Sequence, residues 1–348
     1  MSLNSPLIKE DFERLSPFFL SLDEIKNKKI LLTGGTGFFG RWLLALLHYL
    51  NLNGFNISVT VVSRSPEKFL ISEPSYRDVR WLDFIESDAQ CFEVSRKYDC
   101  IIHAATDTSL AVQADGLSLF NSMINGGRNI LDIAVKSGAK KVLMIGSGAQ
   151  YGAQPEEQPL FLEDSTSACL SNSPLSAYGE AKRSIETMAA LYASKHSFDV
   201  IFARCFAFSG PGLAIDTHFA IGNFVRDALF SQNIVVKSKG EIYRSYLYGA
   251  DLAIWLLTLL LKGKNQEAYN VGSDQAILIS DLAECVKNIL APEKEVIFLS
   301  NEGGGSRSRY IPSINKARSH NLDVWTNLDE SIQRTADWNK SYFLQRSK

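Results

Sequence analysis

The sequence lacks a long hydrophobic run, a Cys-x-x-Cys pair and a marked excess of charge of either sign. Its most apolar stretches, at 42–47 and 252–261, fall well short of the roughly 20 residues that cross a bilayer, so we expect buried helices there and no membrane partner. The 36 basic and 38 acidic residues give a net charge of −2. Such balance argues against a nucleic-acid partner or an acidic membrane surface.

The cysteines are odd in number and widely spaced along the chain. Their spacing predicts reduced core thiols and neither a disulfide framework nor a zinc site. The residues before position 29 mix Lys, Glu and Asp with Pro and contain no continuous apolar core, so we expect no signal peptide. Together these features predict a cytoplasmic protein without a metal centre, whose thiols are Cys91, Cys100, Cys169, Cys205 and Cys285.

Strand-like apolar runs alternate with segments of helical period through the first 210 residues. The runs lack strict alternation of polar and apolar residues, which is typical of parallel strands covered on both faces. The pattern predicts an α/β fold with a doubly wound parallel sheet. The predicted strands are 30–32, 58–62, 100–103, 141–145 and 200–204, and the predicted helices are 41–50, 126–137 and 177–196.

After the Gly-Pro-Gly sequence at 210–212, strand-like runs and helical segments alternate less regularly. A glycine-rich loop follows at 303–306. We therefore predict a smaller C-terminal α/β lobe at 211–348, and we allow for a segment of it that returns to the main sheet. Residues 1–28 form an N-terminal leader, in which residues 7–25 have helical spacing that Pro17 interrupts. We expect this leader to pack on the main domain.

Three glycines mark the junction between the first predicted strand and the next helix. Gly34 suits a tight turn, Gly37 lets main chain approach a phosphate, and Gly40 allows close packing of helix on strand. The first-turn N–H groups of that helix then face an anion. The junction predicts a pyrophosphate site, with a glycine-rich turn of some other α/β protein as the alternative.

Tyr178 and Lys182 form a Tyr-x-x-x-Lys pair on a predicted helix, where this spacing places both on one face. The positive charge of the lysine is expected to lower the pKa of the phenol. Ser147, at the end of a predicted strand, can hydrogen-bond the same substrate oxygen. Such a pair also occurs by chance, as a half-buried tyrosine beside a solvated lysine. Its order after the glycines and the serine favours a hydride-transfer site.

With these motifs the sequence resembles the extended short-chain dehydrogenase/reductases, the NAD-dependent epimerase/dehydratase family that acts on nucleotide sugars. The resemblance covers nearly all of the chain after residue 28 and implies a Rossmann-type dinucleotide-binding domain at 29–210. Its motifs are Thr-Gly-Gly-Thr-Gly-Phe-Phe-Gly at 33–40, His-Ala-Ala at 103–105, Ser147 before Tyr151-Gly152, Tyr178 with Lys182, Arg204, Gly210-Pro211, Asn223-Phe224, and Arg244-Ser-Tyr-Leu-Tyr before Asp251-Leu-Ala.

The resemblance implies a role for each matching position. Tyr178 would be the general acid/base, Lys182 would tune it and hold the nicotinamide ribose, and Ser147 would bind the reacting sugar oxygen. The implied residues for the substrate diphosphate are Asn223, Arg244 and Arg309, with a surface arginine as an equal alternative for the last. The implied cofactor-binding residues are Gly34, Thr36, Gly37, Phe38, Phe39, Gly40, Ser63, Arg64, Asp88, Ala104, Ala105, Thr106 and Lys182.

The end of the second predicted strand reads Val-Val-Ser-Arg-Ser at 61–65. It lacks the acid with which NAD-dependent relatives bind the ribose hydroxyls. Arg64 beside Ser63 suits a 2′-phosphate, so NADP(H) is favoured. NAD stays the alternative, because it also binds without that acid and a loop arginine is often simply solvated.

Gly148 and Ala149 follow Ser147. Relatives that eliminate water carry an Asp-Glu pair here, and sugar decarboxylases carry a glutamate in the second place. Neither glycine nor alanine transfers a proton, so 4,6-dehydratase and decarboxylase activities are disfavoured. The remaining reactions transfer a hydride at one carbon, expected to be C4. They are a 4-keto-sugar reductase consuming NADPH, which Arg64 favours, and a 4-epimerase with tightly held NAD.

Extended family members commonly pair through two long helices per subunit, and the matching segments here are 119–137 and 177–196. We therefore expect a homodimer held by a four-helix bundle, in a setting such as surface-polysaccharide synthesis. A cofactor-binding module without turnover is the alternative class, but such proteins typically lose the tyrosine or lysine. Ala207 stands at or near a place where many relatives have an asparagine that orders the substrate. His218 could contact the sugar, but a loop histidine near the surface is the expectation.

Overall fold

The computed structural model of the chain describes residues 1–19, 22–106, 115–217, 219–238, 240–299 and 307–346. His218 and the glycine-rich stretch at 303–306 lie outside the described residues, so the expectations for them stay predictions. Within the described ranges no helix is both long and apolar enough to span a bilayer.

A seven-stranded parallel sheet lies at the centre of the molecule, in the order β11-β6-β5-β4-β1-β2-β3. All six neighbouring pairs are parallel. The order reverses direction between β1 and β4, so the predicted doubly wound sheet is confirmed. Its strands are β1 Lys29–Thr33, β2 Ser58–Ser63, β3 Leu82–Glu86, β4 Cys100–His103, β5 Lys141–Ser147, β6 Asp199–Cys205 and β11 Glu267–Val271.

Two helical layers cover the sheet because successive strand residues point to opposite faces. On β1, Ile30 and Leu32 join one apolar cluster and Leu31 joins the other. Helices α2 Phe38–Leu52 and α7 Gly249–Lys262 pack in the first cluster, and α4 Gly116–Ser137 and α5 Ala177–Lys195 pack in the second. The two most apolar stretches of the sequence lie in α2 and α7, so the prediction of buried helices is confirmed.

The leader forms helix α1 Pro6–Leu15, followed by single turns of 3-10 helix. Ser5 caps the helix, and its apolar side packs against α2 and α7 through Ile8, Phe12 and Leu15. The expected packing of the leader on the main domain is therefore confirmed.

The C-terminal part holds a third apolar cluster and three small sheets. Strand β11, although it follows residue 210, completes the main sheet beside β6. The remaining described elements are α3 Pro66–Ser72, β7 Phe208–Ser209 paired with β10 Leu247–Tyr248, α6 Ala220–Phe230, β8 Ile234–Val236 paired with β13 Val296–Phe298, β9 Ile242–Arg244 between β12 Ile277–Leu278 and β14 Ser308–Tyr310, α8 Ile279–Leu290, α9 Asn315–Arg318 and α10 Leu328–Arg346.

All five cysteines are free thiols. The prediction that they are core residues holds for Cys100 and Cys205, which end up on buried strands, but is wrong for Cys91, which is exposed in the loop after β3. Cys169 and Cys285 are half-buried. Among the described residues no three His, Cys, Asp or Glu side chains lie together as a metal site.

Candidate active site

The glycines at the junction of β1 and α2 leave no room for a side chain at Gly34 and Gly40. Gly34 has φ +74°, and a Cβ there would lie 2.6 Å from the Ala104 carbonyl carbon. A Cβ on Gly40 would lie 2.3 Å from the Gly34 oxygen. At Gly37, the N-cap of α2, the nearest atom to such a Cβ is Gly34 O at 3.4 Å. The turn is thus tight toward the protein and open beside Gly37, as a pyrophosphate cradle requires.

The first turn of α2 is fixed to the glycine turn by side chains. Arg41 donates from Nε to the Thr36 carbonyl at 2.9 Å and from Nη1 to Glu73 at 3.0 Å. Phe39 meets Phe208 edge to face, with ring centroids 4.9 Å apart, and Phe38 packs against the third cluster. The first-turn N–H groups of a helix have no intrahelical acceptor, so this anchored turn presents them to an anion.

The segment after β4 is held against the glycine turn by Thr33. Its carbonyl accepts from Ala104 N at 3.2 Å, and its hydroxyl oxygen accepts from Ala105 N at 3.3 Å. The same hydroxyl lies 2.8 Å from Nδ1 of His103, whose pKa burial lowers to about 3. His103 is therefore neutral and acts as a buried hydrogen-bonding partner that orders the Ala104 to Thr106 segment beside the cradle.

Ser63 is the last residue of β2, Arg64 follows it, and Asp88 follows the neighbouring strand β3. Ser63 Oγ accepts from Ser65 N at 3.3 Å, and Asp88 accepts from Gln90 N at 2.9 Å. Arg64 is exposed. The three residues lie at the carboxyl end of the sheet, as the glycine turn does. The adenosine of a dinucleotide lies at this end in doubly wound sheets. The residues present therefore fit a dinucleotide along this edge.

Lys182 is buried, and its ammonium joins three elements of the site. Nζ donates to the Ile145 carbonyl on β5 at 2.7 Å and to Thr106 Oγ1 at 2.9 Å. Burial lowers the pKa of this lysine to about 8. The positive charge of Lys182, which could bind a ribose or a phenolate, is therefore held in position by these two hydrogen bonds.

Tyr178 stands one helical turn before Lys182, with Nζ 5.9 Å from its ring centre. Burial raises the pKa of the phenol, and its hydrogen bond with Ser147 opposes that rise. The expectation that the pKa of Tyr178 is lowered toward neutrality is therefore wrong for the structure described here. Burial is the larger effect, and the ammonium is engaged by Thr106 and Ile145.

Ser147 ends β5 and is held by the turn that follows it. Its N–H donates to Gln150 Oε1 at 2.9 Å, and its Oγ accepts from Ala149 N at 3.2 Å. Gly179 lets this turn approach α5, because a Cβ on it would lie 2.8 Å from the Ala149 oxygen. A glycine directly after Tyr178 thus brings the serine and the tyrosine together.

Gly148 is covered by two aromatic rings that the sequence analysis did not include. A Cβ on it would lie 2.6 Å from the Phe206 ring and 2.7 Å from the Tyr310 hydroxyl. That hydroxyl is 3.5 Å from Ser147 Oγ. No local pattern identifies Tyr310, because it reaches the site from β14, 163 positions after Ser147.

The two arginines predicted to bind the substrate diphosphate, Arg244 and Arg309, lie on opposite faces of the sheet formed by β12, β9 and β14. In the β9–β14 register Arg244 is opposite Tyr310, and Arg309 is opposite Tyr243. Because faces alternate along a strand, Arg244 and Tyr310 share the face toward Ser147. Arg309 stacks over the Tyr243 ring at 4.8 Å, and its buried Nε has no hydrogen-bond partner among the described residues. The structure brings Arg244 to the site and does not bring Arg309 with it.

Asn223 lies in the first turn of α6. Its amide donates to the Thr217 carbonyl at 2.9 Å and accepts from Arg226 at 3.2 Å. The amide nitrogen therefore holds the loop that precedes α6, and the amide oxygen binds Arg226 on the helix itself. A contact with substrate stays a prediction.

The sequence profile of the NAD dependent epimerase/dehydratase family matches residues 30–272. This segment includes the glycine turn, Ser147, Tyr178, Lys182 and Arg244. A curated relative, UDP-glucuronic acid decarboxylase 6 of Arabidopsis thaliana, is 28% identical over 311 residues, which are 88% of this chain and 85% of the relative.

Two solved structures show the same fold. UDP-glucose 4-epimerase of Thermotoga maritima with UDP-glucose has a TM-score of 0.74 at 22% identity, covering 90% of this chain and 99% of that one. The dTDP-glucose 4,6-dehydratase of Bacillus anthracis in complex with NAD also has a TM-score of 0.74, at 20% identity, covering 90% and 97%. At these identities the similarity is one of fold.

Proposed function

Because the chain belongs to the NAD-dependent epimerase/dehydratase family, we propose that it transfers a hydride at C4 of a nucleotide sugar. The preferred reaction is reduction of a 4-keto sugar with NADPH. The observation that carries this proposal is the grouping of Ser147, Tyr178 and Lys182 at the carboxyl edge of the sheet, with no proton-transferring side chain at 148 or 149.

A dinucleotide whose pyrophosphate is held at the glycine turn would supply the hydride from its nicotinamide. The raised pKa of Tyr178 keeps the phenol protonated at neutral pH, which is the state that can donate a proton to a keto oxygen. Ser147 Oγ binds the same oxygen. Lys182 is mostly charged at neutral pH, and its ammonium, 5.9 Å from the ring centre, stabilises the phenolate that forms.

Elimination of water and decarboxylation are disfavoured, although a curated relative is named a decarboxylase. Gly148 has no room for an acidic side chain, since Phe206 and Tyr310 occupy the space. Ala149 supplies no carboxylate. Both reactions would therefore need an acid from elsewhere in the site.

The cofactor preference separates the two C4 reactions. Arg64 favours a 2′-phosphate and hence the reductase. Glu86 lies opposite Ser63 in the β2–β3 register, and Asp88 follows it, so two carboxylates lie near the same edge. Their repulsion of a third phosphate favours NAD and makes a 4-epimerase the second candidate.

The proposed assembly is a homodimer through α4 and α5, which pack against each other. Their outer surface carries apolar side chains, with Leu117 73% and Leu191 59% exposed. Burying them in a four-helix bundle would be favourable. Light scattering should give about twice the 38.7 kDa chain mass, and a single-chain mass would contradict the dimer.

The test of function is to release and identify the copurifying dinucleotide and then add nucleotide sugars with and without NADPH. Stoichiometric oxidation of NADPH with a 4-keto sugar supports the reductase, and bound NAD with epimerisation and no net redox change supports the epimerase. A protein that binds dinucleotide but converts no nucleotide sugar would contradict both and support the non-catalytic module.

A further inference from the structure

We propose that Gln150 is a positioning residue, whose side-chain amide holds the backbone of Ser147 so that the serine hydroxyl can bind the reacting oxygen. The inference rests on the proposed hydride transfer, in which Ser147 contacts that oxygen. It extends the site to a buried residue that acts through the serine.

The serine and the amide cap each other across one turn of 3-10 helix, Gly148–Tyr151. Gln150 Oε1 accepts from Ser147 N at 2.9 Å, and Ser147 Oγ accepts from Ala149 N at 3.2 Å. The Ser147 N–H decides which end of the amide faces it, because only the amide oxygen can accept. One lone pair of Oγ is thus held on Ala149, which leaves its proton and its other lone pair for Tyr178 and a substrate oxygen.

The other end of the Gln150 amide separates this role from a purely structural one. The side chain is 2% exposed, and its buried Nε2 has no hydrogen-bond partner among the described residues. An unpaired buried donor costs free energy, and an apolar side chain of similar size would avoid that cost. The benefit of glutamine at this position is therefore the acceptor that it offers to Ser147.

Gly146 leaves the space that this amide needs. A Cβ on Gly146 would lie 2.6 Å from Gln150 Oε1. Its next contacts would be with the Ala203 and Glu186 oxygens, both at 3.4 Å. A side chain at position 146 would therefore displace the amide oxygen from Ser147 before it disturbed its other neighbours.

The residue after Gln150 fixes the turn relative to the catalytic helix. Tyr151 OH accepts from Arg204 Nη1 at 2.9 Å. Arg204 also donates from Nε and Nη2 to the two carboxylate oxygens of Glu186, at 3.0 and 2.8 Å. Glu186 lies about two helical turns after Tyr178 on α5. The backbone that carries the amide is therefore held in place relative to the tyrosine, and the amide transmits this position to the serine.

The first experiment compares Gln150→Met, which keeps the size of the side chain and removes the acceptor, with Gln333→Met on α10 as the control. With NADPH and a UDP-4-keto-6-deoxy sugar, Gln150→Met should lower kcat about 10- to 100-fold and change KM less than about twofold, because the serine is misplaced. Urea unfolding should show little change in stability, since Ser147 N loses its acceptor but the unpaired Nε2 is also removed. The control should match wild type in both measurements.

Double variants test whether the amide acts through the serine. In a Ser147→Ala background, adding Gln150→Met should cause little further loss of kcat. Gly146→Ala should lower kcat as Gln150→Met does, because its Cβ displaces the amide oxygen. Full additivity of Gln150→Met with Ser147→Ala, or wild-type kcat in Gly146→Ala, would contradict the inference.

Hydrogen exchange tests the contact without any turnover. In the dinucleotide-free protein, the Ser147 amide should exchange about five- to tenfold faster in Gln150→Met than in wild type, because it loses its acceptor. The amide of Ile145, earlier on the same strand, should exchange at the wild-type rate.

The outcomes separate this inference from the proposed function. Wild-type kcat in Gln150→Met, or a loss that only follows the fraction of unfolded protein, would overturn the positioning role and leave the proposed function standing. A wild type that converts no 4-keto sugar would contradict the proposed function. In that case, faster exchange at Ser147 in the variant would still support the hold of Gln150 on the serine, and unchanged exchange would overturn it.

Discussion

The cofactor half and the substrate half of the site are built in different ways. In the cofactor half, the turn at 34–40 and the segment at 104–106 each follow a strand directly, and neighbouring parallel strands place them together. In the substrate half, Ser147 meets Tyr310 across 163 positions, and the faces of a three-residue strand decide which arginine reaches the site.

This difference shows where specificity can change. The cofactor half depends on backbone conformations that only glycine allows and on strand order, so a substitution there disturbs the fold as well as binding. The substrate half depends on side chains carried by short strands of small sheets. Changes there should alter affinity for one ligand while leaving the fold and the dinucleotide site unchanged.

The largest expected effect is the loss of proton transfer at the junction of the two halves. Tyr178→Phe should lower kcat by about 10²- to 10⁴-fold, because the phenol is the only proposed proton donor to the sugar oxygen. Dinucleotide binding should be kept. Tyr192→Phe is the control, since Tyr192 lies on the same helix with its hydroxyl bonded to exposed Asp132. Activity of Tyr178→Phe near that of Tyr192→Phe would remove Tyr178 from the mechanism.

Next comes the backbone requirement of the cofactor half. Gly34→Ala should lower the free energy of unfolding by about 3 kcal/mol, because it combines a positive φ with a contact of 2.6 Å to Ala104. Gly54→Ala has a similar φ, +83°, but no atom within 4 Å, and should cost about 1 kcal/mol. Urea unfolding measures both values. Equal losses would show that the turn is not tight at Gly34.

The substrate half should respond without loss of stability. Arg244→Ala should weaken UDP-glucose binding about 10- to 100-fold, as expected for hydrogen bonds to a charged phosphate. Arg309→Ala should have a much smaller effect, because its side chain lies on the other face beside Tyr243. Calorimetry on both variants decides the point. A comparable loss in Arg309→Ala would mean that both arginines bind the diphosphate, as the resemblance implies.

The smallest expected effect is the pH dependence that Lys182 introduces. Its folded pKa of about 8 lies below the ordinary value of 10.5, so the unfolded chain binds the extra proton between these pH values. The contribution of Lys182 to stability should therefore rise with pH in this window, by about 1 kcal/mol per pH unit. The thiols of Cys100 and Cys205, whose pKa burial raises, contribute in the opposite direction, so the slope is read as the difference between variants. Urea unfolding of the dinucleotide-free protein from pH 8 to 10 measures the slope.

Lys182→Met should lack this rise, and Lys195→Met, an exposed lysine on the same helix, should keep it. The same slope in all three proteins would show that Lys182 keeps an ordinary pKa despite its burial.

The cofactor half was largely predictable because its signals are local. Glycine spacing and apolar runs predicted the turn and five strands, whose ends lie within two residues of the predicted ones. Strand β3 was not predicted, because it is a half-exposed edge strand that carries the polar residues Asp83 and Glu86. Strand β11 follows residue 210, where the regular alternation of strands and helices ends. Only its pairing with β6 identifies it as a strand of the main sheet.

The substrate half was less predictable because its signals are distant. Arg244 and Arg309 look equivalent as sequence, and only the register of two short strands separates them. Tyr310 has no motif of its own. For Tyr178, sequence spacing gives the distance to Lys182 along a helix, but the pKa depends on burial, which the spacing does not contain.

The most direct test of the central claim is transfer of a labelled hydride. The protein is incubated with NADPH carrying deuterium at the transferred position and a UDP-4-keto-6-deoxy sugar, and the product is examined by mass spectrometry and NMR. The account predicts one deuterium at C4 of the sugar in wild type, and incorporation about 10²- to 10⁴-fold slower in Tyr178→Phe. A wild-type product without deuterium at C4, or incorporation at the wild-type rate in Tyr178→Phe, would contradict it.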